Sequence, residues 1–329
     1  MRKVKLGIIG TGLAAKNLHL PALQKLKNKF EIVAVCNHTE KKAKDFAKIV
    51  GGIPYYLDYR ELLKRDDIEA VDITLPINLN YKAASDSIKA GKHVILEKPL
   101  VGTMKEAKEL LNLDKKFKTV KLVAENFRYR KVFKRAKNYI EQGKIGKPYA
   151  VNWNLYYHVT TDKDYWSTKW RQKHKHPGGF LLDAGVHNVA AIRMMLGDFK
   201  SGNALIKSVN SKIGTFDTTV FQFELKNGIV GLYNLYFSVN GHWEDKLLIF
   251  GDKGSIEINT NVLTIKREGK KDKTEDLTDG HGYDAEFKDF YNAIVKGTKA
   301  DYSFKEAYRD MEIVLGALKS AKNNRKVNF

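Results

Sequence analysis

The stretch GGFLLDAGVHN, Gly178–Asn188, sets a carboxylate, Asp183, four residues before an imidazole, His187, inside an otherwise apolar run. At helical spacing the two share one face. Histidine titrates near neutral pH unaided, so the pair suits proton handling, the acid either orienting the imidazole or touching a substrate by itself. Alone, the pair fits equally well an ion pair on a helix surface. A second group points the same way. HVILEKP, His93–Pro99, places Lys98 just past the end of an apolar strand, where Pro99 fixes the turn. Ligands of open α/β sheets bind at those ends, and a lysine exchanges protons at neutral pH when burial or a nearby cation lowers its pKa.

A glycine turn supplies the third piece. GIIGTGLAAKN, Gly7–Asn17, matches G-x-G-x-x-A with Gly10, Gly12 and Ala15, after a strand signal and before a helix signal. Gly10 permits the tight turn, Gly12 lets the backbone approach a pyrophosphate, and Ala15 allows close helix–strand packing. The N–H groups near Leu13 and Ala14 then meet the anion at the helix N-terminus. The second strand ends in Cys36-Asn37-His38-Thr39, with no acid before Glu40. NAD sites usually carry an acid there for the ribose 2′-hydroxyl. Its absence, with donors on Asn37, His38 and Thr39 and a cation on Lys41 or Lys42, favours NADP over NAD.

These residues need elements to hold them. KVKLGII, FEIVAVC, EAVDITL, HVILEKP and VKLVAEN read as five strands, most of them separated by helical stretches. NYKAASDSIKAG closes on Gly91, a helix stop, and Thr103 with Glu106 forms a capping box. Alternating strands and helices predict a parallel Rossmann sheet. From about Tyr149 the runs become long and strand-like, with tight-turn signals at Asn227-Gly228 and Lys253-Gly254, and two helices follow. The expected fold class is α/β: a dinucleotide-binding Rossmann domain over 1–124, then an α+β domain over 125–329 with a large, open, mostly antiparallel sheet. The open face of that sheet is an expected surface for a homodimer or homotetramer.

The 329 residues carry a net charge of +20, spread along the chain as lysine. A solvated surface explains this better than nucleic-acid binding. No apolar run is long enough to span a bilayer, and the N-terminus does not read as a secretory signal. The single Cys36 excludes an internal disulfide, so a cytoplasmic location is expected. His174-Lys175-His176 with His187 raises zinc, but without cysteine or a second ligand pattern no metal is expected. A mobile basic loop over the cofactor fits those residues better.

The GxGxxA turn, AGKHVILEKPL with Glu97-Lys98-Pro99, AENFRYR, and WRQKHKHPGGFLLDAGVHN together resemble the glucose–fructose oxidoreductase, inositol dehydrogenase and MocA (Gfo/Idh/MocA) family over essentially the whole length. The text from Trp170 to His187 looks most like a fungal-type, NADP-using branch. The resemblance implies an oxidoreductase that interconverts a small hydroxyl compound and its carbonyl with a nicotinamide cofactor. It implies catalytic roles for Lys98, Asp183 and His187. It adds Leu75, Pro76, Asn80, Glu97, Lys98 and Asn126 to the cofactor site, with Trp170-Arg171 reaching toward it. Arg128 and His187 are implied on the substrate side, and Tyr157 and Tyr165 are read beside them as residues that line a sugar-like substrate or serve as packing. Trp170 reads equally as core, and Arg171 as an ion-pair partner. Ile77 and Asn80 stand where many members carry Asn and His, and Ala190 and Ala191 replace a frequent acid, so a standard cyclitol or hexose is not implied. The alternative is a dinucleotide-sensing regulator of the same fold that does not turn over.

Overall fold

The structure, a computed structural model, describes residues 2–160, 164–213 and 215–329. The chain divides into two compact units, Met1–Asn126 with Gly282–Arg309, and Phe127–His281 with Asp310–Phe329. A single cut at 124/125 therefore leaves out two further crossings, at 281/282 and 309/310. The helix Tyr283–Lys296 returns to the first unit, where Phe287, Phe290 and Tyr291 join the core made by Val4, Leu6, Phe30 and Val35.

The first unit is built on six parallel strands: β1 (Val4–Ile9), β2 (Phe30–Cys36), β3 (Tyr55–Tyr56), β4 (Ala70–Ile73), β5 (His93–Glu97) and β6 (Lys121–Ala124). Their order is β3-β2-β1-β4-β5-β6. This is the doubly wound order, whose direction reverses between β1 and β4. Four of the strands read as near-continuous apolar runs because helices cover both faces of such a sheet. Strand β3, two residues long, has no periodicity to detect. The expected capping box forms: the Thr103 hydroxyl accepts from the Glu106 N–H at 3.3 Å and bonds its carboxylate at 3.0 Å.

The helix after β1 contains a widened, π-type turn at Ala15–His19 before the α segment Leu20–Lys25. Pro21 explains it. Proline has no N–H to donate, and its ring crowds the preceding turn. The Leu20 N–H reaches back instead to the Ala15 carbonyl, and His19 is left fully buried.

The second unit carries nine strands: β7 (Pro148–Tyr156), β8 (Phe199–Lys207), β9 (Thr218–Leu225), β10 (Val230–Tyr236), β11 (Glu244–Gly251), β12 (Gly254–Asn259), β13 (Val262–Arg267), β14 (Lys270–Asp276) and β15 (Val327–Asn328). The order is β14-β13-β12-β11-β7-β10-β9-β8-β15, antiparallel throughout except for the parallel β7–β10 pair. The helix Gly179–Leu196 is apolar on nearly every side, as a helix buried all round should be. Its start is fixed by Gly179, at φ +49°, where an added Cβ would lie 2.5 Å from the Thr215 hydroxyl. That start places Asp183 in the second turn and His187 one turn on.

Candidate active site

In the first unit the glycine turn has the expected local shape, with two different reasons for its glycines. Gly10 adopts φ +97°, and a Cβ there would sit 2.6 Å from the Thr74 carbonyl oxygen of the strand beside it. The Thr74 hydroxyl donates to the Gly10 carbonyl at 2.7 Å, tying β1 to β4 at the reversal point. Gly12 is exposed, has no left-handed φ, and an added Cβ would meet nothing within 4 Å. Nothing in the protein itself requires glycine at that position. Leu13 is exposed and Ala14 half-buried at the start of the helix.

Beyond β2 the turn is ordered by Asn37. Its Nδ2 donates to the Thr11 hydroxyl at 3.0 Å, and its Oδ1 accepts from the Thr39 N–H at 2.9 Å. His38, Lys41 and Lys42 are exposed at the rim. Lys41 pairs with Asp45 at 2.7 Å on the open surface, a contact of little net strength that an incoming anion displaces easily. Glu40, the first acid after the strand, accepts from the Tyr55 hydroxyl at 3.1 Å.

The segment Glu97–Pro99 ends β5. Lys98 is half-buried. Asn80, fully buried in the helix Ile77–Lys89, donates through Nδ2 to the carbonyls of Glu97 at 3.2 Å and Pro99 at 3.1 Å, while its Oδ1 is buried with no hydrogen-bond partner. Leu75 and Pro76 are half-buried at the mouth of that helix, and Asn126 is buried just after β6.

Sequence reasoning missed a buried charge cluster behind this segment. His19 Nδ1 donates to both oxygens of Asp72 at 2.9 Å, and Nε2 donates to Glu97 at 3.1 Å. Burial alone would lower the His19 pKa. Asp72 and Glu97 outweigh it and hold the ring well above the usual imidazole range. Glu286, from the helix Tyr283–Lys296, is buried beside them, and neither carboxyl oxygen has a hydrogen-bond partner. Burial, followed by the charges of Glu97, Glu125 and Asp72 against the opposing pull of His19, pushes its carboxyl well up. The signal was present in the sequence: an Asp inside the apolar strand AVDI and a His on the buried side of an apolar helix are the informative exceptions.

In the second unit Asp183 is buried, and its Oδ2 accepts from Arg171 Nε at 2.8 Å. One carboxylate oxygen of Asp183 is thus held by a guanidinium. Arg171 lies 4.1 Å over the Trp170 ring, with Tyr165 and Trp166 nearby, so Trp170 and Arg171 form part of this unit's own packing. His187 is half-buried, its ring stacked on Phe127 at 4.7 Å. Phe127 in turn lies under Arg130, 5.0 Å from its centroid. Arg128 is buried, and Tyr157 is exposed just past β7.

The His174–His176 segment departs from expectation. The two rings lie 5.2 Å apart, and none of their nitrogens has a hydrogen-bond partner. Burial first, then the neighbouring His176 and Arg171, pulls His174 down to about 4, and burial lowers His176 as well. Both are neutral at physiological pH, so only Lys173 and Lys175 make this segment basic. Among the described residues no group of three or more His, Cys, Asp or Glu could hold a metal ion, and no helix is long and apolar enough to cross a membrane.

Residues 4–125 match the oxidoreductase family's NAD-binding Rossmann fold, and residues 137–329 match its C-terminal alpha/beta domain. An uncharacterized protein of Saccharomyces cerevisiae is 33% identical, over 98% of this chain and 97% of its own. The myo-inositol 2-dehydrogenase of Thermotoga maritima is 26% identical, over 93% of this chain and 84% of its own. The crystal structure of an oxidoreductase from Thermotoga maritima superposes with a TM-score of 0.93 at 36% identity, covering 99% of this chain and 98% of that one. A levoglucosan dehydrogenase solved with NADH and levoglucosan shares the fold, with a TM-score of 0.89 at 24% identity over 99% of both chains. Two family profiles that between them take in nearly every residue, joined to a glycine turn at the reversal point of a doubly wound sheet, place this chain in the Gfo/Idh/MocA family of NAD(P)-binding oxidoreductases.

Proposed function

We propose that the protein is an NADP-dependent oxidoreductase acting on a small, sugar-like hydroxyl compound or its carbonyl. The observation that carries the reading is Gly12: a glycine held neither by strain nor by packing, at the start of a helix, is explained by a pyrophosphate resting against its backbone. The buried, unpartnered Oδ1 of Asn80 fits the same reading, as an acceptor waiting for a carboxamide N–H. When bound, the nicotinamide supplies or takes the hydride. Gly10, Gly12, Leu13 and Ala14 bind the phosphates through backbone N–H groups. His38 and Lys41, with Asn37 and Thr39 ordering the turn, receive the 2′-phosphate. The acids at this rim are already engaged, Glu40 by Tyr55 and Asp45 by Lys41.

Lys98 Nζ and the His187 imidazole handle the proton of the reacting hydroxyl and polarise its oxygen. Asp183 holds Arg171, and through it the Trp170 segment, which we assign to the cofactor side. Arg128, Tyr157 and Tyr165 are assigned to the substrate. The nine-stranded sheet leaves Val230 and Leu205 exposed, and we assign that face to pairing between copies. The relatives whose names state a substrate, inositol and levoglucosan, are polyhydroxylated rings, which supports a sugar-like compound here.

The test is a screen of aldehydes, ketones, sugars and polyols with NADPH, NADH and their oxidised forms, followed at the reduced-nicotinamide absorbance. Lys98→Ala and His187→Ala should each lower kcat by about 10²–10⁴-fold while cofactor binding persists. Native protein that binds the dinucleotide but turns over nothing in the panel would favour a dinucleotide-sensing protein of the same fold.

A further inference from the structure

The task given to Lys98 requires its amine to be held still, and the first unit grips the residues on either side of it. From the helix side, the Asn80 amide donates to the carbonyls of both Glu97 and Pro99, which bracket the lysine. From the sheet side, the Glu97 carboxylate is held by His19, which is itself anchored on Asp72 of the neighbouring strand β4. An imidazole that donates from both nitrogens carries a positive charge.

Asp72 from β4 and Glu97 from the end of β5 bond His19, and Glu286 from the helix Tyr283–Lys296 feels the charges of His19, Asp72, Glu97 and Glu125, which lies just past β6. Burial and the neighbouring carboxylates hold the Glu286 carboxyl well above the usual carboxylate range. Two aromatic rings also lie against it, the edge of Phe287 at 5.2 Å from the His19 ring and Tyr283 at 6.3 Å. Apolar side chains at these positions would stabilise a core as well or better. A buried ion triad that ends on the residue before Lys98 therefore calls for another explanation.

We propose that His19 is a positioning residue for the reaction: its imidazolium, shared between Asp72 and Glu97, fixes the turn that presents Lys98, with Asn80 closing the grip from the opposite side. The proposal rests on the reading of Lys98 as a proton-handling amine, and its test is chosen to separate the two.

Native protein, His19→Gln and Glu97→Gln are treated with a limiting amount of an amine-acetylating reagent, and modification at Lys98 is read by mass spectrometry against the exposed Lys27. Glutamine at either position keeps much of the shape but cannot hold a charged link. Freed from the grip, Lys98 should acetylate about threefold or more faster relative to Lys27. Should His19→Gln fail to fold, Glu97→Gln, nearly identical in shape to the native residue, carries the measurement. An unchanged Lys98 rate in the folded variants overturns the proposal. With a substrate in hand, His19→Gln should lower kcat by about tenfold or more with cofactor KM little changed, as expected of misplacement by a fraction of an ångström. His19→Ala should be worse than His19→Gln. A loss of cofactor affinity instead, equal in both variants, counts against positioning. If the variants release Lys98 but native protein has no turnover, the grip is upheld and the catalytic reading of Lys98 alone is lost.

Discussion

Gly10 and Gly12 stand two residues apart and answer to different constraints. Gly10 is held by the fold, since a left-handed φ and a carbonyl 2.6 Å from any Cβ leave no room for a side chain. Gly12 is free of both constraints, and only a ligand would object to a methyl group there. The two alanine variants should therefore separate. Gly10→Ala is expected to lose about 1–3 kcal/mol of stability or more, from strain at a positive φ. Gly12→Ala should melt at or slightly above the native temperature, because alanine costs less backbone entropy than glycine, yet bind NADPH far more weakly. Thermal melts and a fluorescence titration with NADPH check both. Native-like NADPH affinity in Gly12→Ala would remove the pyrophosphate from that turn. The same scale shows why spacing along one helix does not name every partner of a buried acid. Asp183 stands out in the sequence as an acid in an apolar run four residues before His187, and it also accepts from Arg171, twelve residues earlier and outside the helix, a contact that helix spacing does not suggest.

At the scale of elements, the buried acids and imidazoles give stability opposing responses to pH. In the first unit, His19 is carried well above the usual 6.5 by Asp72 and Glu97 despite its burial, and Glu286 is carried above the usual 4.5, chiefly by burial. Both keep protons in the folded state that the unfolded chain has already released. Their contribution is complete below the unfolded values and is lost as pH rises: from about 4.5 for Glu286, and additionally from about 6.5 for His19. Each group costs about 1.4 kcal/mol per pH unit until its folded pKa is reached. Cys36, pushed up to about 12 by burial and Asp58, adds the same sign above pH 9. In the second unit His174, lowered to about 4, stays neutral where the unfolded chain is protonated, so its contribution is lost as pH falls below 6.5. Urea midpoints for the native protein should thus fall as pH rises above 6.5, and His19→Gln should flatten that fall. A midpoint that is level or rising over this window would mean that the cluster does not hold its protons. The parallel sheet around it was legible because most of its strands are apolar runs ended by glycine or proline. The cluster was not, because its members come from five separate segments, and a contact between residues 19 and 97 leaves no local pattern.

For the molecule as a whole, the same limit explains the division of the chain. The alternation of strands and helices gave the first unit as far as β6. Nothing in the spacing of DAEFKDFYNAIVKG shows that Phe287 and Phe290 pack on Phe30 rather than on the sheet that precedes them. Charge is the property that sequence carries in full. With 58 Lys and Arg against 38 Asp and Glu, the protein presents a positive field to any anionic ligand. That field alone raises affinity for NAD and NADP alike. Under the proposed NADP preference, discrimination comes from the rim beyond β2, where His38, Lys41 and Lys42 are exposed to solvent and therefore to salt. Exposed contacts are screened over about 10 Å at 0.1 M ionic strength, and buried ones much less. The pyrophosphate, held by backbone N–H groups at the glycine turn, is common to both cofactors. The extra salt sensitivity should therefore belong to the 2′-phosphate. The dissociation constant for NADPH should rise more steeply than that for NADH as salt is added, so that the preference for NADPH is strongest at low ionic strength and narrows toward 0.5 M. Titrations of both cofactors across that range decide the matter. Parallel salt dependences, or tighter binding of NADH at every salt concentration, would place the selectivity elsewhere than on these three residues.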